Sequence, residues 1–92
     1  MITSFRCSDT EALFHGRLVA RFANIAAAAL RKLAILNRAD SLDDLSVPPG
    51  NRLEKLIGDR NGQYSIRING QWRICFDFET GQASNVEITD YH

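Results

Sequence analysis

Arg67 and Arg73 are the first pair of residues whose type and spacing point to chemistry. They flank Asn69-Gly70, a dipeptide that marks a β-hairpin. On one side Tyr64, Ile66 and Ile68 alternate with Ser65, Arg67 and Asn69. On the other, Trp72, Ile74, Phe76 and Phe78 alternate with Arg73, Cys75 and Asp77. A strict two-residue loop would pair Ile66 with Arg73 and mix the faces. An odd loop, or a turn with a bulge, pairs Ile66 with Ile74 and Tyr64 with Phe76, and the apolar pattern favours that arrangement. Arg67 then stands directly across from Arg73 on the polar face. Like charges at opposed positions of a sheet repel, so the pair needs an anion beside it. Two readings compete. In one, Asp77, Glu87 or Asp90 supplies the counter-charge within a solvated ion-pair face. In the other, the pair is a phosphate site.

More basic residues, Arg52, Lys55 and Arg60, precede the hairpin and can flank the same sheet. Arginine outnumbers lysine nine to two, and its planar fork suits bidentate contacts to phosphate. The sequence ends on Asp90-Tyr91-His92, directly after an alternating strand of Val86 and Ile88 with Glu87 and Thr89. Imidazole has an unperturbed pKa of ~6.5, which makes His92 a natural proton shuttle at neutral pH, and alternation puts Tyr91 on the polar face. A last-residue histidine by itself is usually nothing; beside an arginine cluster it gains interest. Arginines to stabilise a phosphorane, with a His/Tyr pair to move protons, are the ingredients for attack of an RNA 2′-hydroxyl on its own phosphate. That reaction needs no metal. The sequence has no clustered carboxylates or His–Cys spacing for a metal and no glycine-rich phosphate loop, since Gly58, Gly62 and Gly70 belong to turns, so no cofactor is expected. Tyr64 and Trp72 fall in the core-facing register and are assigned to packing, and His15 to an exposed helix end.

The elements that must position these residues divide the chain in half. Ninety-two residues allow one domain, 45% hydrophobic and 24% charged, as in a globular protein. Eleven basic and eleven acidic side chains cancel, which excludes a histone-like binder of nucleic acid and a polybasic membrane anchor. No apolar run reaches the ~18 residues of a membrane span, and the start lacks the layout of a signal peptide. Cys7 and Cys75 lie far apart and are expected as two buried thiols in a reducing cytosol. Ile2 to Cys7 reads as a short opening strand, and Ser8-Asp9-Thr10-Glu11 as a capping box for a helix ending at Gly16. A main helix is expected from about Val19 to Arg38, with Phe22, Ile25, Ala26, Ala29, Leu33 and Leu36 as its stripe. Asp40 to Val47 reads as a linker with room for one helical turn, and Arg52 to Leu56 as a short strand. The architecture is therefore α+β, with the helical half covering the apolar face of a small antiparallel sheet.

From Pro48-Pro49-Gly50-Asn51-Arg52-Leu53 onward the sequence resembles a known family. The stretch continues through Gly58-Asp59-Arg60-Asn61-Gly62-Gln63-Tyr64-Ser65-Ile66-Arg67-Ile68-Asn69 and Gln71-Trp72-Arg73-Ile74-Cys75-Phe76, and closes on Val86-Glu87-Ile88-Thr89-Asp90-Tyr91-His92. It is similar to the HigB toxins, the plasmid-maintenance-killer branch of the RelE/ParE superfamily, over residues 1–92 as a single toxin domain. The resemblance implies two N-terminal helices on one face of the sheet. It implies a type II toxin that enters the ribosomal A site of the 70S ribosome, cleaves mRNA without a metal, and is neutralised by a HigA-type helix-turn-helix antitoxin. Operator DNA would be reached only through the antitoxin, and the setting would be cytoplasmic, with no membrane. Carried over position by position, Arg73, Asp90, Tyr91 and His92 match catalytic positions. Arg52, Lys55, Arg60 and Arg67 match positions that hold mRNA or ribosomal RNA. Where a branch of the family has a catalytic histidine after Pro-Gly-Asn-Arg-Leu, this chain has Glu54, read either as a general base or as an ion-pair partner of Arg52 or Lys55. Two other functions stand beside the nuclease: a gyrase poison of the ParE kind, and a weakened toxin acting mainly as a co-repressor. The antitoxin surface has no sequence signature; the exposed side of the main helix and the Leu42 to Val47 linker are the regions open to it.

Overall fold

The computed structural model describes residues 1–47 and 49–90. Helices α1 (Ser8–Phe14), α2 (Ala26–Arg38) and α3 (Leu42–Leu45) precede strands β1 (Glu54–Lys55), β2 (Tyr64–Arg67), β3 (Trp72–Glu79) and β4 (Gln82–Asp90). The strands form one antiparallel sheet in the order β1-β2-β3-β4. Alternation makes one face of that sheet apolar, and the helices cover it. Phe22, Ala29, Leu33 and Leu36 are fully buried against Ile66, Ile74, Phe76 and Val86. Each large side chain in this layer contributes roughly 1.5–3 kcal/mol of transfer free energy. Trp72 and Tyr64 sit at the edges of the core as the register predicts. Trp72 meets Phe22 edge-on with centroids 5.6 Å apart, and Tyr64 stacks on Phe76 at 6.3 Å. Among the described residues no helix is long and apolar enough to cross a membrane.

The hairpin register follows the parity argument: Tyr64 faces Phe76, Ile66 faces Ile74 and Arg67 faces Arg73. The loop is odd, Asn69-Gly70-Gln71. The Ile68 amide donates to the Trp72 carbonyl (2.9 Å), and Asn69 Oδ1 accepts from the amides of Gln71 and Trp72, both at 2.8 Å. Asn69 thus closes the turn with its side chain rather than with a left-handed backbone.

Several boundaries differ from expectation, each for a local reason. The main helix begins at Ala26, not Val19, after a 3-10 turn at Ala20–Phe22. Asn24 is a poor residue for a helix interior, and the break turns Phe22 inward onto Trp72. The Ser8 capping box does not form: Ser8 is the first residue of α1, Cys7 is the cap, and no side chain caps the turn. Thr10 is buried and its hydroxyl accepts from the Ile88 amide (3.0 Å), tying α1 to β4. The expected opening strand is reduced to two parallel bridges, Ile2 with Ala83 and Phe5 with Val86. Between them β4 bulges at Asn85, whose φ of 53° breaks the ladder and whose amide donates to Ser4 Oγ (2.9 Å). β4 starts at Gln82, earlier than the expected Val86, through a tight turn in which Thr80 and Gly81 are both left-handed (φ 51° and 75°). The Arg52 to Leu56 strand shortens to Glu54–Lys55, because Arg52 itself is left-handed at φ 46°. Cys75 is buried, whereas Cys7 is only half-buried; both are free.

Candidate functional site

The face of the sheet away from the helices carries polar residues in two registered rows. One runs Glu54, Ser65, Cys75, Glu87 across the four strands; the other runs Arg67, Arg73, Thr89. Arg73 lies mid-sheet and is buried, 7% exposed. A buried guanidinium is costly unless its donors are used. Here Nε donates to Ser65 Oγ (2.8 Å) and Nη2 to the Arg52 carbonyl (2.6 Å). Glu54 Oε1 lies 3.8 Å from Nη2, with its carboxylate about half exposed. The side chain is therefore held in one plane by a strand on one side and a loop on the other. In the second row the Thr89 hydroxyl, beside Arg73, is buried with no hydrogen-bond partner among the described residues.

Arg52, Glu54, Arg67, Asn69, Gly70 and Arg73 line a polar cavity of about 330 Å³. Arg67 lies against Gly70, where an added Cβ would sit 3.7 Å from Nη2. Among the described residues the Arg67 and Arg52 side chains make no ion pair, and Glu54 is the carboxylate in the described lining of the cavity. The carboxylates expected to neutralise the pair are engaged elsewhere. Glu87 binds Arg60 (2.9 Å), Asp77 accepts from Gln63 (3.3 Å) and Asn85 (2.8 Å), and Asp90 accepts from Gln71 (3.1 Å). Among the described residues Arg73 is ion-paired with Glu54, which the sequence left open as a general base or as a partner of Arg52 or Lys55. Its position across from Ser65, the residue that accepts from Arg73 Nε, explains the choice. A cavity with excess fixed positive charge is electrostatically suited to a phosphate, and to the extra negative charge of a pentacovalent phosphorus.

The structure thus brings Arg52, Glu54, Arg67 and Arg73 together and leaves other candidates apart. Arg60 is half-buried against Glu87 and Gln63 (3.2 Å) at the far end of the face. Lys55 is exposed on β1, opposite Tyr64. Asp90 stands opposite Trp72, on the other parity from Thr89. Tyr91 and His92 lie outside the described residues. Sequence reasoning missed Ser65, although the same parity that placed Arg67 and Arg73 puts it one row away. It also missed the Arg52 carbonyl, which no side-chain pattern reveals. Among the described residues no group of three His, Cys, Asp or Glu side chains is placed to hold a metal ion. A second cavity, apolar and about 480 Å³, opens between the end of α1 and the start of α2, beside a fully exposed Leu18.

Residues 15–92 match the family profile described as RelE-like toxin of type II toxin-antitoxin system HigB. The chain belongs to this HigB-like toxin family. Toxin HigB-1 of Vibrio cholerae serotype O1 is 46% identical over 61 residues, 66% of this chain and 64% of that protein. Endoribonuclease HigB of Proteus vulgaris is 44% identical over 41 residues, 45% of each chain. The chain thus spans less than two thirds of the length of these curated relatives. A chain from the heterotetrameric YoeB–YefM toxin–antitoxin complex of Staphylococcus aureus superposes with a TM-score of 0.63 at 20% identity, over all of this chain and 95% of that one. That likeness extends the α+β fold of the HigB-like chain to other toxins.

Proposed function

We propose that this HigB-like chain is a toxin that cleaves mRNA on the translating ribosome, in the cytoplasm, and is neutralised by a HigA-type antitoxin. The observation that carries the reading is the polar cavity. Among the described residues its three arginines face one partly exposed carboxylate, Glu54, while Glu87 is paired with Arg60 and Asp77 accepts from Gln63 and Asn85. The endoribonuclease name of the Proteus relative and the toxin name of the Vibrio relative support it.

In this mechanism Arg67 and Arg52 hold phosphates that flank the scissile one, and Lys55 extends the basic surface towards mRNA or ribosomal RNA, whereas Arg60, paired with Glu87, supports the sheet rather than RNA. The 2′-oxygen attacks phosphorus, its proton passes to a base, and the 5′-oxygen leaves with a proton from an acid. The products are a cyclic 2′,3′-phosphate and a free 5′-hydroxyl. Arg73 stabilises the charge that builds on the non-bridging oxygens; its guanidinium is already held, so little reorganisation is needed at the transition state. His92 and Tyr91 handle the protons and Asp90 orients one of them. Glu54 acts as the ion-pair partner of Arg73 rather than as the base.

Mapping of mRNA cuts on translating ribosomes tests the reading, with wild type beside a His92→Ala/Tyr91→Ala double variant. The expected result is cuts within the A-site codon that vanish in the double variant while the domain stays folded. Growth inhibition by the wild type without cuts would transfer the case to a gyrase-type target. An inert wild type that still supports operator binding by the antitoxin would make it a co-repressor.

A further inference from the structure

Asn51 is fully buried, although an amide taken out of water costs free energy unless both its ends are bonded. Both are. Its Oδ1 accepts from Lys32 Nζ on α2, and its Nδ2 donates to the Leu45 carbonyl at the end of α3 (3.1 Å). One side chain therefore pins the loop before β1 to two helices of the other layer.

The next residue is Arg52, left-handed at φ 46°. A non-glycine residue there is strained and persists only where its surroundings dictate the conformation. Its amide donates to the Pro49 carbonyl (3.1 Å), and its own carbonyl accepts from Arg73 Nη2 (2.6 Å). Among the described residues, two of the groups that hold Arg73, Ser65 and the Arg52 carbonyl, differ in how they are themselves held. Ser65 belongs to a strand and is fixed by the ladder. Arg52 lies before β1, outside the ladder, next to Asn51.

We propose that the Lys32–Asn51 bridge is a positioning device for the site: it fixes the left-handed Arg52 so that its carbonyl aims the Arg73 guanidinium at the phosphate. The cleavage part rests on the nuclease reading above; the aiming of Arg73 does not. Lys32 and Asn51 touch no substrate and act through Arg73.

Two measurements on the full chain test it, with Asn51→Ala, Lys32→Met and Lys32→Arg. The first is the side-chain ¹⁵N spectrum of Arg73. A guanidinium held on both sides shows separate, slowly rotating Nη groups. Those signals are expected to merge in Asn51→Ala and Lys32→Met and to stay separate in Lys32→Arg, which keeps a donor to Asn51. The second is the single-turnover rate of mRNA cleavage on programmed ribosomes. Misaiming a fixed catalytic group costs on the order of 10- to 100-fold, so that loss is expected for Asn51→Ala and Lys32→Met, with ribosome affinity unchanged. In an Arg73→Lys background, which lacks the fork, the same changes should alter the rate by less than about twofold, whereas a merely structural role would multiply its loss there as well. Should Asn51→Ala fail to fold, the Lys32 pair decides, because Lys32 is only partly buried. Unchanged Arg73 signals or an unchanged cleavage rate in the folded variants would overturn the proposal. A wild type that makes no cuts, with the Arg73 signals responding as stated, would overturn the nuclease reading alone.

Discussion

The two ends of the polar face treat arginine in opposite ways. At the Arg60 end each charge is answered within the fold: Arg60 grips Glu87 and Gln63, and Gln63 and Asn85 both donate to Asp77. At the Arg73 end three arginines line a cavity whose carboxylate among the described residues, Glu54, stands 3.8 Å from Arg73 and is half exposed, and Arg52 and Arg67 make no ion pair among those residues. The residue type is the same, and so is the sheet face. What differs is where the acids are, and the lesson is that a basic residue's role is set by whether the fold has already neutralised it. An internally paired arginine contributes to stability. Arg52 and Arg67, which make no ion pair among the described residues, have binding energy available for an incoming anion.

Arg73→Ala should break the open end most severely. Removing one preorganised donor to a transition-state oxyanion costs ~10²–10³-fold in rate, so single-turnover cleavage is expected to fall by that factor and growth inhibition to disappear. A variant that still cuts at near the wild-type rate would remove Arg73 from the chemistry.

Arg67→Ala should act on binding rather than on the chemical step. Loss of one phosphate contact lowers the slope of log affinity against log salt by about 0.7 for single-stranded RNA. Titrating the variant with a short RNA at several salt concentrations checks this. An unchanged slope would mean that Arg67 meets no phosphate.

Glu54→Gln sharpens the comparison from the acidic side. As the ion-pair partner of Arg73, Glu54 dampens the cavity's attraction for anions, so the variant should bind RNA somewhat more tightly and cleave within about twofold of wild type, as expected for a weak, half-exposed pair. A fall of tenfold or more would identify Glu54 as the general base.

Arg60→Ala should matter least to cleavage. A partly exposed pair contributes at most ~1 kcal/mol, readable as a small drop in the denaturant midpoint with cleavage nearly unchanged. If Arg60→Ala weakened RNA binding as much as Arg67→Ala, the contrast between the two ends would fail.

Much of this architecture was legible from side-chain types alone. Period-two alternation around Asn69-Gly70 placed Arg67 across from Arg73, because a one-residue slip would have turned Ile66 and Ile74 to water. The apolar stripe was equally plain: Phe22 before α2 and Ala29, Leu33 and Leu36 within it are all buried. Elsewhere the local signals misled. Thr80 is an unusual residue for a left-handed turn, so the β3–β4 hairpin was hidden, and with it the first residues of β4. Ser8 carried the signature of a helix cap, but Ser8 is already inside α1 with no side chain capping its first turn, and the Thr10 hydroxyl accepts from β4 instead.

Residue type and spacing by themselves determined the α+β class, the register of the central hairpin, the face on which the arginines lie and the family to which the chain belongs. The first three follow from hydrophobic periodicity, which is a local property of the chain, and the family follows from the specific run of residues between Pro48 and Phe76 and its match over residues 15–92. Only the tertiary structure decided which acid meets which arginine, that Ser65 and the Arg52 carbonyl hold Arg73, and that Asn51 ties the site's loop to α2 and α3. Those contacts join residues far apart in sequence, and several run through backbone atoms that every residue carries. No pattern of side chains encodes such a contact, because it exists only once the loop before β1 has packed against the helices.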